Sequence, residues 1–146
     1  MRLFLFFISA IAILAIFFFG TMYVIDYRDM SARDLVRAEH AKSLKTALER
    51  YRAAHGKYPA PFTNNYIMDL KTALVDGGFL AAIPTDPFWI GSQNNQYTYV
   101  SADGIKYGLW FHLELSSGKI PAGGGCLTGV GTVGTGWWGQ PPDCPF

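Results

Sequence analysis

The sequence predicts an α+β protein in which a long N-terminal helix, membrane-spanning and then amphipathic, packs on a small antiparallel β-sheet. Three observations carry that expectation. Residues 3–25 run for 23 positions without a charged side chain. Apolar residues then recur at three- and four-residue steps as far as Ala54, which is helical spacing. Residues 106–115 alternate with the period of two that a half-buried strand requires. The expected organisation is a transmembrane helix over 1–25, an amphipathic helical stalk over 26–57 and a globular head over 58–146.

Composition bounds the alternatives. The chain has 146 residues, 50% hydrophobic and 16% charged, with a formal net charge of +1. That length supports one compact domain plus a modest extra element. The apolar fraction is too high and the net charge too low for a disordered chain. A near-neutral balance also argues against a nucleic-acid partner, which calls for a basic stripe or patch.

A 23-residue helix spans roughly 34 Å at about 1.5 Å per residue, against a hydrocarbon core of about 30 Å. Membrane lipid is therefore the first expected partner, and the excess length leaves room for a tilt. Tyr23 lies near the far end, where an aromatic tip reaches the wet interface. The alternative is a cleavable secretory signal with Met1-Arg2 as its positive start. The apolar core exceeds the usual ~7 to 15 residues and no clear small-x-small site follows it, so an uncleaved signal anchor is preferred. Arg2 favours an N-terminus in the cytoplasm, whereas Arg28, Arg33 and Arg37 favour the reverse. The cysteines decide the matter. Cys126 and Cys144 lie in a Gly/Pro-rich tail with no histidine nearby, a poor setting for zinc and a better one for a pair closing one loop in a non-cytosolic compartment. The stalk and head are accordingly placed outside the cytoplasm.

Charge divides the stalk from the head. Residues 26–57 carry a net +3 and residues 58–146 a net −3. Within the stalk, Leu44, Ala47, Leu48, Tyr51 and Ala54, with Ala41 one turn earlier, form one apolar stripe, and Lys42, Lys45, Glu49, Arg50 and Arg52 cover the other faces. Gly56 supplies a left-handed cap and Pro59 a stop. With no breaker between Ile25 and Ala41, membrane helix and stalk are expected to form one rod of about 50 residues. A shorter helix is predicted over 66–75, capped by Asn65 or Asn64 and ended by Asp76-Gly77-Gly78. Ile83-Pro84-Thr85-Asp86-Pro87 must be an extended or turning loop. Strands follow over 96–100 and 106–115, joined by Ser101-Ala102-Asp103-Gly104. In the second, Tyr107, Leu109, Phe111, Leu113 and Leu115 point to a core, and Lys106, Gly108, Trp110, His112 and Glu114 point to solvent. A two-stranded ribbon is marginal alone, so the stalk stripe is its expected partner. A third strand near Ile120 or after Cys126 is only weakly signalled.

This order of elements resembles the type IV pilin and type II secretion pseudopilin group. The likeness is carried by ALERYRAAHGKYP at 47–59, by the IPTDPF loop within 80–88 and by YTYVSADGIKYGLWFHLE at 97–114. It implies a helical stalk held in the bacterial cytoplasmic membrane by a single pass, its outer half packed on a small antiparallel sheet, with the head periplasmic or extracellular. It also implies a structural subunit of a surface filament, or of a secretion or pilus machine, in which apolar helices bundle. A C-terminal loop closed by Cys126 and Cys144 is a further implication. The chain departs from the family in several places. Only Met1-Arg2 precedes the apolar helix, positions 3–25 hold no Glu, Gly20 lies inside the apolar run, and no acidic calcium-binding cluster is evident. These departures favour a second expectation, an accessory or binding subunit whose helix docks in another membrane complex.

Candidate chemistry is sparse. Gly129, Gly131 and Gly134 match the dinucleotide fingerprint, but Thr-Gly-Trp-Trp-Gly and two prolines follow where a helix is required, so a flexible glycine-rich loop is expected. His112 and Glu114 share a strand face, yet two ligands without a third make a poor metal site. His40 and His55 are expected to face water, and Asp86 and Asp103 to be turn residues. No nucleophile, base and orienting group occur as a set, so neither an enzyme, a cofactor nor a small-molecule substrate is expected. Trp89, Trp110, Trp137 and Trp138 are better candidates for function, because exposed aromatics stack on sugars or anchor protein partners. Trp137 and Trp138 have a second reading as plugs of a small core. Trp110, with His112 beside it, is the preferred partner-binding position, and Trp137 and Trp138 are the others.

Overall fold

A computed structural model of the chain describes residues 2–88, 97–115, 122–128 and 131–134. It divides into two compact units, Met1–Ala32 and Arg33–Phe146. One helix, α1 (Arg2–His55), supplies residues to both. Over residues 6–25 of the first unit it carries no charge on any side, and Phe7, Ile11, Leu14, Phe17, Phe19 and Tyr23 are all exposed. None of its most apolar window is buried, and by length and composition it can cross a membrane. The serine and threonine of residues 6–25 bond within the helix: Ser9 donates to the Phe6 carbonyl at 2.9 Å and Thr21 to the Phe18 carbonyl at 2.8 Å.

The second unit begins with the rest of α1. The stripe read from the sequence is its core face: Leu44, Ala47 and Leu48 are fully buried, Ala41 nearly so and Tyr51 half-buried. Ala54, expected to extend the stripe, is exposed, one residue before the helix ends. Gly56 adopts φ +77° and donates its N–H to the Arg52 carbonyl at 2.7 Å, the expected left-handed close.

Among the described residues the sheet has five strands: β1 (Phe62–Tyr66), β2 (Thr98–Ser101), β3 (Gly108–Leu113), β4 (Gly123–Thr128) and β5 (Gly131–Gly134). They lie side by side in chain order, and every pair is antiparallel. The expected α+β class holds, but the ribbon is larger than the two strands that alternation predicts. β1 was hidden by Asn64 and Asn65, residues poor in strands, which belong to β1 rather than capping a helix. Between residues 66 and 76 the chain forms a 3-10 turn (Ile67–Leu70) and a π-helical turn (Lys71–Asp76) instead of one α-helix. Gly78 then closes the segment at φ +78°.

β4 was hidden by glycine, and the reason lies across the ladder. Gly123, Gly124 and Gly125 pair with Leu113, His112 and Phe111, so three consecutive large side chains of β3 face strand neighbours that have none. Two of the dinucleotide-like glycines are strand residues rather than loop: Gly131 and Gly134 bound β5, while Gly129 lies outside the described residues. The core joins the α1 stripe to Tyr58, Ile67, Leu70, Leu74, Tyr97, Tyr99, Tyr107, Leu109, Phe111, Leu113 and Leu127. Tyrosines dominate its middle. Tyr58 meets the Tyr107 ring edge-on at 4.6 Å, and the Tyr99 hydroxyl donates to the Pro59 carbonyl at 3.0 Å.

Candidate functional site

The apolar stripe of α1 does not start with an apolar residue. One turn before Ala41 it carries Arg37, and one turn before that Arg33, with Asp34 beside it. Helical spacing puts all of them on the face that packs on the sheet. The Arg37 side chain is only 2% exposed, and a cation at that depth requires carboxylates.

Two come from distant segments. The loop from Ile83 to Pro87 cannot be helical or pair in a sheet, and it delivers Asp86, whose side chain is 1% exposed. Arg37 donates Nε and Nη2 to the two Asp86 oxygens at 2.7 and 2.9 Å, a bidentate pair. Asp86 Oδ1 also accepts the Phe88 N–H at 2.8 Å, so the turn that presents the carboxylate is fixed by that same carboxylate. Glu114, just past β3, receives Arg33 Nε and Nη2, both at 2.6 Å, and Arg37 Nη1 at 2.7 Å. Asp34 accepts Arg37 Nη1 at 2.7 Å and the backbone N–H groups of Glu114 and Leu115 at 3.0 and 2.8 Å. A helix side chain thus caps the end of a strand. Arg33 also lies over the Phe88 ring, 4.8 Å from its centroid.

The electrostatics follow from these contacts. Burial works against the Arg37 cation, but hydrogen bonds to Asp86, Glu114 and Asp34 outweigh it and keep the guanidinium charged. Glu114 is drawn down to about 2, first by its hydrogen bonds from Arg33 and then by Arg37, against the opposing effect of burial. His40 and His112 border the cluster, and burial lowers both from the ordinary histidine value; for His112 the Arg37 charge adds to it. His40 Nδ1 lies 2.9 Å from the hydroxyl of Tyr97, whose acidity burial suppresses. Each of the three carboxylates is engaged by at least one arginine, so the assembly is suited to clamping helix, loop and strand together.

The expected site residues distribute unevenly around this clamp. Leu44, Ala47, Leu48 and Tyr51 pack as the sequence predicts. The outward face of β3 is not a solvent face: Trp110 and His112 are half-buried, and Glu114 is an ion-pair partner. His40 likewise does not simply face water. Asp103 is the expected turn residue, accepting the Ile105 N–H at 2.8 Å. Cys126 lies in β4 opposite Trp110. Cys144, Trp89, Trp137 and Trp138 lie outside the described residues. Among the described residues, no three His, Cys, Asp or Glu side chains are grouped to hold a metal ion. Arg33, Asp34, Arg37 and Asp86 were missed as a set. Their signal was a guanidinium in register with an apolar helix stripe, which demanded acids elsewhere in the chain.

The chain matches no family model, no curated protein and no solved structure.

Proposed function

We propose that this chain is a non-enzymatic, pilin-like structural subunit, anchored in the bacterial cytoplasmic membrane by one pass, with its head on the periplasmic or extracellular side. It works by packing, through lateral bundling of the apolar helix with other copies in a surface filament or in a secretion or pilus machine. One observation carries the reading. A single uninterrupted helix is uncharged and unburied over residues 6–25, and over its second half is clamped by buried ion pairs to an antiparallel meander. Exposed apolar surface of that extent requires lipid or other helices as its surroundings. A clamp of buried charges keeps the head in one fixed attachment to its helix, as a packing unit requires.

The apolar segment holds no acidic residue to guide subunit addition, and this favours a second reading. The chain is then an accessory subunit whose helix docks in another membrane complex while the head binds outside. Electron microscopy of sheared surface material, with antibody against the head, separates the two. Labelled fibres support the first reading. Unlabelled material, with a fixed set of membrane proteins co-purifying in detergent, supports the second. A head released into the soluble fraction without its helix overturns both.

A further inference from the structure

One contact between α1 and the segment entering β2 stands outside the arginine clamp. His40 lies one turn after Arg37 on α1 and is half-buried. Its Nδ1 is 2.9 Å from the Tyr97 hydroxyl, and the two rings meet edge-on at 5.9 Å. Tyr97 immediately precedes β2 and is 2% exposed. Its carbonyl accepts the Ile67 N–H at 3.0 Å, so the backbone that carries the ring is held in place. Among the described residues, His40 is the one hydrogen-bond partner of the Tyr97 hydroxyl.

The chemistry of the two groups fixes which of them donates. Burial keeps the phenol protonated, so its hydrogen needs an acceptor. A neutral imidazole offers one, on the nitrogen that carries no hydrogen. The Tyr97 hydroxyl therefore donates to Nδ1, and His40 holds its own hydrogen on Nε2. Protonation reverses the arrangement: Nδ1 becomes a donor, the Tyr97 hydrogen loses its acceptor, and a second cation appears one turn from Arg37. The charged and titratable groups about this junction are Arg37 on α1, Asp86 from the 83–87 loop, Tyr97 itself, and His112 and Glu114 from the β3 side. Asp86 favours the imidazolium, but burial outweighs it and holds His40 below the ordinary 6.5. Glu114, by contrast, keeps its charge down to about 2, so its part of the clamp outlasts the neutral imidazole as acid is added.

We propose that His40 and Tyr97 form an acid-sensitive catch between α1 and the sheet, which opens while the arginine clamp still holds. The protonated imidazole leaves Tyr97 and turns to water, and α1 stays attached through Arg33 and Arg37. The folded chain thus has two states of helix attachment, fastened at both points near neutrality and at the clamp alone in mild acid. This inference stands whether or not the chain builds filaments.

The test uses the full chain in detergent micelles, isotope-labelled at histidine, arginine and tyrosine and followed by NMR from about pH 7.5 to about pH 4. Near neutrality, the nitrogen shifts of His40 are expected to show the hydrogen on Nε2. As His40 titrates, the NOE between its ring and that of Tyr97 should vanish, while the Arg37 Nε–H signal persists. Tyr97→Phe removes the donor to Nδ1 and should raise the His40 midpoint by about 0.5 to 1 pH unit. Should that variant unfold, the tautomer and the order of the two losses in the unaltered chain serve instead. A hydrogen on Nδ1 near neutrality overturns the proposal. So does an NOE that survives full protonation of His40, an unmoved midpoint in a folded Tyr97→Phe, or loss of the Arg37 signal in the same step as the catch.

Discussion

Replacing Arg37 by methionine puts the clamp to a quantitative test. The change preserves much of the side chain's volume and removes the charge, which leaves Asp86 with its carboxylate 1% exposed and no cation against it. Asp34 loses the Nη1 donor, and Glu114 keeps only Arg33. Removing one partner of a buried ion pair costs about 3–5 kcal/mol, because the remaining charge is left without solvent or counter-charge. A small domain has about 5–15 kcal/mol in total, so a large part of the head's stability is at stake. With a urea dependence of about 2 kcal/mol per molar, the midpoint should fall by about 1.5–2.5 M. The measurement is urea unfolding of the full chain in detergent, followed by the near-ultraviolet dichroism of the buried tyrosines. Arg33→Met is the control. Its side chain is 23% exposed and Glu114 retains Arg37, so the loss should be about 1–2 kcal/mol. The double variant Arg37→Met/Asp86→Leu should recover part of the single-variant loss, since it removes the stranded charge along with its partner. A cost below about 1 kcal/mol for Arg37→Met, or a larger cost for Arg33→Met, would refute the assignment of Arg37 as the buried centre of the cluster.

Four further outcomes are expected. Glu114 is held at about 2 against an ordinary 4.5, so the unfolded chain binds its proton first. The stability this group adds is therefore complete above pH 4.5 and lost as pH falls toward 2, and Glu114→Gln should flatten that limb of an acid titration. His40 and His112, both lowered, add a loss of the same sign as pH falls below 6.5, and a His112→Gln variant should remove its share. Gly104 sits at φ +78° with a would-be Cβ 2.8 Å from the Tyr58 carbonyl oxygen, so Gly104→Ala should cost about 1–3 kcal/mol in thermal unfolding. The Tyr107 hydroxyl is buried without a hydrogen-bond partner among the described residues, so Tyr107→Phe should leave stability unchanged or raise it by about 1 kcal/mol; a loss above about 1 kcal/mol would contradict that burial.

The helix and the strongest strand were legible because each shows its own period: a 3.6-residue stripe through Leu44, Ala47, Leu48 and Tyr51, and an alternation through Tyr107, Leu109, Phe111 and Leu113. β1 and β4 were not, since Asn64, Asn65 and the Gly123–Gly125 run have low intrinsic strand preference and are strands through their neighbours. The clamp failed to appear for another reason. Asp86 does sit in a local turn, as its proline neighbours suggest, and that local role hides a second, long-range one. Charges near a membrane helix also read naturally as topology signals, so Arg33 and Arg37 were assigned to the bilayer boundary before a core was considered for them.

The sheet's neighbour-to-neighbour order bears on how this chain is made. The β2–β3, β3–β4 and β4–β5 pairings close over short separations and need little waiting during synthesis. Arg37, by contrast, emerges 49 residues ahead of Asp86 and 77 ahead of Glu114. Until both have been synthesised, burying that guanidinium is unfavourable, so the second half of the helix should stay solvated while the hairpins grow and settle onto them last. Docking of the rod then reports that β3 has been completed, and a chain truncated before Glu114 should leave it undocked.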